Sequence, residues 1–239
     1  MNAPRTRVQR RPVHGVLLLD KPLGLSSNDA LQKAKWLLRA EKAGHTGTLD
    51  PLATGVLPLC FGAATKFSAL QLEAPKTYVA VARLGQTTTT ADAEGDIVQE
   101  RPVDAVQLTP ERLAAVAAQF TGAIQQVPPM HSALKKDGKA LYEYARAGET
   151  VARAARDIFI HALKITKTED SEALPAIEIE VTCSKGTYIR TLAEDIGQAL
   201  GCGAHLRSLR RTETGGIGLQ RCITLAALEA LPEQERLQH

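Results

Sequence analysis

The sequence contains few aromatic residues and few cysteines, and both shortages restrict its class. Phe, Trp and Tyr make up only 4% of the 239 residues, so the core must be built from Leu, Val, Ile and Ala. The cysteines have no C-x-x-C spacing, and a chain of this length needs no disulfide framework. Reduced thiols and a cytoplasmic protein are therefore expected. The cysteines are Cys60, Cys183, Cys202 and Cys222.

Other missing features exclude further classes. No run approaches the ~20 apolar residues of a membrane-spanning helix. The N-terminus lacks the apolar stretch and small-residue cleavage site of a secretory signal. No G-x-x-x-x-G-K-[ST] pattern occurs, which argues against a P-loop nucleotide site. The hydrophobic fraction of 44% and the charged fraction of 23% are ordinary for a globular protein of one large domain or two small ones.

Neither sign of charge dominates, since 29 Lys and Arg against 26 Asp and Glu give a formal net charge of +3. The basic residues are nevertheless clustered. Such clusters could form a phosphate-facing surface, but solvated faces and a flexible basic terminus at residues 1–12 explain the charges equally well. The clusters are Arg5, Arg7, Arg10 and Arg11; Lys135, Lys136 and Lys139; and Arg207, Arg210 and Arg211.

The hydrophobic pattern mixes strands and helices without strict alternation, which favours an α+β fold over a doubly wound one. Strands are predicted at 14–20, 56–60, 76–84, 158–168, 177–183 and 206–212, with turns near Asp170 and at Gly215-Gly216. Helices are predicted at 27–40, 63–72, 110–120, 187–200 and from 225 towards 236, with Thr109 and Thr224 as caps. Residues 122–154 lack steady periodicity, apart from a short helical stretch at 140–147, and are predicted to leave the core.

The segment richest in candidate chemistry is residues 44–57, GHTGTLDPLATGVL. Its glycines allow backbone conformations and a close ligand approach that other residues forbid. Pro51 biases Asp50 away from helical angles and leaves its carboxylate free to project. On composition alone, a helix N-cap at Asp50 followed by Pro51 is the favoured alternative. A metal site built on His45 and Asp50 is disfavoured, because no further ligand lies at a useful spacing.

This segment is similar to the signature of the bacterial pseudouridine synthase B family, whose nucleophile is the aspartate at the position of Asp50. Further similar segments make the resemblance cover roughly residues 13–230: HGVLLLDKPLGLSSNDALQK (14–33), KTYVAVARLG (76–85), PPMHSALKKDGKALYEYARAG (128–148), CSKGTYIRTLAEDIG (183–197) and GCGAHLRSLRRT (201–212). The resemblance implies a mixed, mainly antiparallel central sheet flanked by helices. It also implies a catalytic domain at 13–239 with a thumb-like insertion at about 126–154.

The resemblance implies isomerisation of a uridine in the T-loop of tRNA, at position 55, to pseudouridine. The target base must leave its stack, so base flipping is expected. Asp50 would form a covalent adduct through C6 of the base or C1′ of the ribose, and the residues leave that choice open. The reaction is neither redox nor energy-requiring, so no cofactor is implied.

The expected partner is the T-arm of tRNA, with no membrane and no obligate protein partner. The main rival hypothesis is a tRNA-binding or folding module with secondary catalytic activity. A metal- or acid-dependent hydrolase built on His45 and Asp50 is a third reading, and it predicts cleavage products or sensitivity to chelators.

Two further residues match catalytic positions of the family. Tyr78 would stack on the extruded uracil and take the C5 proton late in the reaction. Arg190 would pair with Asp50, keep its carboxylate ionised and orient it. Without the resemblance, Tyr78 would be assigned to core packing and Arg190 to an exposed helix face.

Four residues are expected to bind substrate or support the site. His45 would stack on RNA beside the flipped nucleotide. Tyr188 and Leu209 match positions that flank the base pocket, although simple core packing explains them as well. Lys21, in a Lys-Pro-Leu-Gly turn, would support the Asp50 segment or contact RNA.

The thumb-like insertion carries the second basic cluster. Lys135 and Lys136, with Lys139, would neutralise phosphates and make affinity salt-dependent. His131 departs from the family, in which Tyr is more often expected. Family members generally continue into a small C-terminal RNA-binding domain, whereas this chain ends at His239. We therefore expect that domain to be absent, and tRNA affinity to suffer more than chemistry.

Overall fold

The computed structural model describes residues 9–169 and 174–238. Arg5 and Arg7 of the predicted basic terminus and the predicted turn at Asp170 lie outside these residues. Contacts divide the chain into two compact units: a terminal unit, formed by residues 1–74 with 211–239, and a central unit, formed by residues 75–210. The predicted domain limits at 12, 126 and 154 stay predictions.

Strands and helices are mixed along the described residues, and the α+β prediction is confirmed. The strands are β1 (Gly15–Lys21), β2 (Ala43–His45), β3 (Ala53–Phe61), β4 (Lys76–Leu84), β5 (Gln86–Thr88), β6 (Ile97–Glu100), β7 (Gly122–Gln126), β8 (Lys135–Lys136), β9 (Lys139–Ala140), β10 (Arg156–Glu169), β11 (Pro175–Cys183), β12 (Ala204–Thr214), β13 (Ile217–Gly218) and β14 (Ile223–Thr224). The α-helices are α1 (Ser27–Leu37), α2 (Ser68–Glu73), α3 (Pro110–Gln119), α4 (Leu141–Arg146), α5 (Ile189–Leu200) and α6 (Leu225–Ala230). Short 3₁₀ helices lie at Gly62–Phe67, Ala105–Leu108, Leu219–Arg221 and Glu235–Leu237.

The terminal unit has the strand order β14-β1-β3 followed by the end of β12, with β2 also on β3. β1 and β3 are antiparallel, in a register that pairs Lys21 with Gly55, whereas β1 and β14 are parallel. α1 begins in a capping box, in which Ser26 and Asp29 satisfy each other's backbone donors. At the C-terminal end of α1, the side chains of Arg10 and Arg11 donate to the carbonyls of Ala40 and Leu38. These hydrogen bonds hold residues 10 and 11 against that end of the helix.

The central unit has the order β12-β4-β11-β10-β7, and each of the last four strands is antiparallel to its neighbours among them. Alternate residues of β4 and β11 are buried, as period-2 patterning requires. α5 buries an apolar stripe that includes Leu192 and Ile196, and it ends at Gly201, whose φ of 90° suits a left-handed C-cap. Thr109 caps α3 with Pro110 in its first turn, as the sequence predicts.

Three predicted elements need correction. Residues 122–126 form β7, an edge strand of the central sheet, so the predicted excursion from the core begins too early. The predicted helix 63–72 is a 3₁₀ turn followed by the short α2. The last helix stops at Ala230, because Leu231 precedes Pro232 and takes an extended conformation. Among the described helices, none has the length and apolarity that crossing a membrane would require.

Candidate active site

The backbone around Asp50 is held on both sides by uncharged hydrogen bonds. The buried Ser27 hydroxyl, in the first turn of α1, accepts from the Leu49 amide at 2.7 Å and donates to the Leu49 carbonyl at 3.0 Å. On the other side, the Gly24 amide donates to the Pro51 carbonyl at 2.9 Å. Both neighbours of Asp50 are therefore anchored, and its half-buried carboxylate is carried on a fixed main chain.

The alternative of a helix cap at Asp50 is wrong. Pro51 and Leu52 form a turn, the Ala53 amide donates to the Asp50 carbonyl at 3.0 Å, and β3 starts directly at Ala53. Since a strand rather than a helix follows, the Asp50 side chain has no helix N-terminus to cap. In the described parts of the chain, no three His, Cys, Asp or Glu side chains are grouped as a metal site would need.

His45 lies at the start of the same loop, at the end of β2. Burial lowers its pKa, the backbone of Gly47 raises it, and the positive charge of Arg211 lowers it again. The net direction is downward, so the ring is neutral at pH 7. A neutral imidazole suits stacking on a base better than a phosphate contact.

Arg211 corrects the prediction of a third surface-exposed basic cluster. Its side chain is only 1% exposed, and its Nε donates to the Val56 carbonyl at 2.7 Å. Arg207 and Arg210 are half-buried, so this cluster is largely withdrawn from solvent. No sequence pattern signals this burial, because strand periodicity does not say which arginine points inward.

Lys21 is also fully buried, at 0% exposure. Its Nζ donates to the carbonyl of Pro22 at 2.9 Å and to that of Leu25, which closes the turn between β1 and α1. The Gly24 amide of that same turn holds Pro51. Of the two predicted roles for Lys21, support of the Asp50 segment fits this geometry better than RNA contact.

In the central unit, two of the residues predicted around the base lie on strands of the sheet and the third lies at the start of a helix. Tyr78 is buried on β4, opposite Val181 of β11. Leu209 is buried on β12. Tyr188 precedes α5, and the side chain of the buried Gln126 holds its backbone, accepting from its amide at 2.8 Å and donating to its carbonyl at 3.0 Å.

Arg190 is 6% exposed, so the alternative of an exposed helical arginine is wrong. Its Nη1 lies 3.5 Å from Oδ2 of Asp92 and donates to the Thr90 carbonyl at 3.3 Å. Its Nη2 donates to the His131 carbonyl at 2.6 Å. Arg190 thus ties together the threonine-rich loop after β5 and the start of the predicted thumb-like insertion.

Asp92 is a functional candidate that the sequence alone does not predict. It is 2% exposed, and its Oδ1 accepts from the Thr90 hydroxyl at 2.5 Å and from the Glu94 amide at 3.1 Å. The only signal was an acid that follows four threonines in an otherwise polar loop, and that signal is weak. A buried carboxylate beside a buried guanidinium fixes the orientation of both groups.

The basic residues of the predicted insertion differ in their freedom. Lys135 is exposed, whereas the Nζ of Lys136 donates to the Ala152 carbonyl at 3.1 Å. The Nζ of Lys139 lies 4.3 Å from the centre of the Tyr144 ring, a cation–π contact. Lys135 is therefore the member best placed to meet a phosphate.

The structure assigns the predicted site residues to the two units. The terminal unit contains Asp50, His45 and Lys21, and the central unit contains Tyr78, Tyr188, Arg190, Leu209, Lys135 and Lys136. Pairing of Asp50 with Arg190, and its closeness to Tyr78, remain predictions.

Two family profiles match consecutive parts of the chain. Residues 35–189 match the N-terminal domain of the TruB family of pseudouridylate synthases. Residues 190–238 match a profile described as the tRNA pseudouridylate synthase B C-terminal domain.

Individual relatives are similar over almost the whole chain. The tRNA pseudouridine synthase B of Verminephrobacter eiseniae is 74% identical over 98% of this chain and 71% of its own length. That of Ralstonia nicotianae is 65% identical over 95% of this chain and 71% of its own length. A chain solved in a Cbf5–Nop10–Gar1 complex has a TM-score of 0.68 and 32% identity, over 94% of this chain but only 59% of that one.

Proposed function

The chain belongs to the TruB family of pseudouridylate synthases, enzymes that isomerise uridine to pseudouridine in tRNA, and we propose that it acts on the T-loop with Asp50 as nucleophile. The observation that carries the proposal is the anchoring of Leu49 and Pro51, which fixes the main chain on both sides of Asp50. A fixed nucleophile needs no reorganisation when the base arrives. The element that follows Asp50 in the chain is the strand β3 and not a helix, so the carboxylate has no helix N-terminus to cap.

The product is an isomer of the substrate. The bond between N1 and C1′ breaks, the uracil turns, a bond between C5 and C1′ forms, and the proton lost from C5 to solvent is balanced by a proton taken up at N1. Asp50 forms an ester or an adduct on the nucleotide while the base is detached, and its later departure restores the carboxylate. No oxidant, reductant or energy source is consumed.

The central unit supplies the ring proposed to stack on the uracil and the guanidinium proposed to pair with the Asp50 carboxylate. Tyr78, rigid on β4, offers a flat ring for the flipped uracil and a hydroxyl for the C5 proton. Arg190, preset by Asp92 and Thr90, presents a planar fork that matches a carboxylate. These assignments rest on the correspondence with the family together with the burial of both side chains.

The T-arm of tRNA is the proposed ligand. Its loop nucleotides are splayed more easily than those of a duplex, and a neutral His45 can stack on an unpaired base. Lys135, exposed on β8, would meet a phosphate and make binding salt-dependent. The tRNA substrate and four cysteines outside any disulfide favour the cytoplasm as the place of action.

The test is Asp50→Asn, assayed by tritium release from tRNA labelled at C5 of uridine, with enzyme in excess. We expect release to vanish while tRNA binding persists, since only the nucleophilic oxygen is lost. The matched control is Asp157→Asn, which removes one exposed acid on β10 and should leave release unchanged. Unchanged release in Asp50→Asn would eliminate Asp50 as nucleophile. Release absent in the wild type would favour the RNA-binding module instead.

A further inference from the structure

Arg211 is a buried cation that has no role in the proposed reaction. It stands at the end of β12 within the terminal unit and is among the largest fully buried side chains of the described chain. Its Nε is bonded to the Val56 carbonyl, but its buried Nη2 has no hydrogen-bond partner in the parts that the structure describes. A buried guanidinium with an unsatisfied donor lowers the stability of the fold, which points to a role for Arg211 other than stabilisation.

The guanidinium contacts both limbs of the loop that carries Asp50. On the later limb, Nε reaches the carbonyl of Val56 at 2.7 Å. On the earlier limb, Nη1 lies 3.4 Å from the point where a Cβ on Gly47 would stand, so it rests against the bare backbone at φ 83°. One side chain therefore spans residues 47 to 56, with Asp50 between the two contacts.

The backbone of Arg211 is fixed equally closely. Gly55 has a φ of 109°, and a Cβ on it would overlap the carbonyl oxygen of Arg211. This close approach fixes the main-chain position from which the Arg211 side chain extends. Its charge acts there as well, because it lowers the pKa of His45 in addition to the effect of burial.

We propose that Arg211 is a positioning residue that braces both limbs of the Asp50 loop from its buried side. The inference rests on the proposed role of Asp50. It concerns the geometry of the loop, which can be measured independently of which residue attacks the nucleotide.

The experiment compares Arg211→Met, which removes both the positive charge and the planar guanidinium, with Arg211→Lys, which keeps the charge but not the guanidinium. The control is Leu228→Ala, a cavity in α6 of the same unit and far along the chain from the loop. Hydrogen exchange by NMR reports the loop directly through three hydrogen-bonded amides, those of Thr46, Leu49 and Ala53. Single-turnover tritium release and filter binding of tRNA report function on the same proteins.

We expect these three amides to exchange at least about tenfold faster in Arg211→Met than in the wild type or in Leu228→Ala. The single-turnover rate should fall about 100-fold, with the tRNA dissociation constant within about threefold of wild type. Arg211→Lys should show amide exchange rates and a single-turnover rate between those of the wild type and those of Arg211→Met. The pKa of the His45 ring should rise in Arg211→Met, because a nearby positive charge is gone, and remain low in Arg211→Lys.

Loop amides that exchange at the wild-type rate in Arg211→Met would overturn the proposal, as would a rate loss no larger than that of Leu228→Ala. If Arg211→Met does not fold, the exchange rates of the same three amides are measured in Arg211→Lys. Exchange at the wild-type rate in that variant would also overturn the proposal that Arg211 braces the loop. Should Asp50→Asn retain activity while the loop amides of Arg211→Met exchange faster, the assignment of the nucleophile fails and the brace stands.

Discussion

Asp50 and Arg190 are held in place by different means. The main chain next to Asp50 is held by two uncharged groups, the Ser27 hydroxyl and the Gly24 amide, and the outer limbs of the loop contact the guanidinium of Arg211. Arg190 is fixed through its own guanidinium, by a buried carboxylate and two carbonyls. These contacts act on the main chain of Leu49 and Pro51 and not on the Asp50 carboxylate. Anchoring the side chain orients Arg190 but commits several of its donors.

This difference predicts unequal sensitivity to substitution. Loss of a partner from a buried ionic network leaves an uncompensated charge, whereas loss of a hydroxyl leaves a neutral amide unsatisfied. Substitution of a partner of Arg190 should therefore lower stability and the single-turnover rate more than substitution of a group that anchors Leu49 or Pro51.

The largest effect should come from Asp92→Asn. It removes the buried anion beside Arg190, at a cost of about 3–5 kcal/mol when one partner of a buried pair is lost. The displaced guanidinium should lower the single-turnover rate by about 100-fold. Quenched-flow tritium release and urea unfolding measure the two effects. Asp96→Asn, at an exposed acid four residues on, is the matched control and should be close to wild type. Equal single-turnover rates in Asp92→Asn and Asp96→Asn would contradict the claim that the buried Asp92 carboxylate orients Arg190.

A smaller effect is expected from Ser27→Ala, which leaves the Leu49 amide and carbonyl without their side-chain partner. The expected loss is about 1–3 kcal/mol of unfolding free energy and a rate roughly tenfold lower. Ser26→Ala is the control, since it removes the N-cap of α1 at about 1 kcal/mol without touching the loop. A rate loss in Ser26→Ala as large as in Ser27→Ala would mean that helix fraying, not loop anchoring, is measured.

The smallest effect should come from Asp195→Asn, on the same helix as Arg190. Burial, with the charge of Glu194 adding, raises the pKa of Asp195 to about 6 from 3.8. The folded state therefore binds the proton more tightly, so stability falls as pH rises from about 4 to about 6 and then levels off. Above pH 6 the Asn variant should be more stable by about 1 kcal/mol, after discounting for partial solvent screening. Urea unfolding at pH 5 and pH 8 tests this, and an equal gain at both pH values would refute the assignment.

The sequence was most informative where local rules apply. The alternating run KTYVAVARL forms β4 over the predicted residues, and Thr109-Pro110 and Thr224 start helices as expected. Gly215 and Gly216, both with positive φ, make the predicted hairpin turn between β12 and β13. The resemblance to the family is confirmed by profiles and relatives over most of the chain.

The sequence was least informative about contacts between distant residues. Ser27 and Leu49 are 22 positions apart, and Arg190 and Thr90 are 100 apart, so no periodicity connects them. β7 was not predicted because Ile124 is its only large apolar side chain, which is too few to show a strand alternation. The burial of Arg211 was invisible because a basic residue on a strand is normally assigned to the solvent face.

Gly55 gives the terminal unit a point of fragility that its hydrophobic core does not share. A lost methyl group in the core can be absorbed by neighbouring side chains that change rotamer. A methyl group gained at Gly55 would meet the main chain of Arg211, which has no rotamers to change. The smallest possible enlargement of this residue would therefore act as a wedge between the main chains of Gly55 and Arg211, where β3 approaches the last residues of β12.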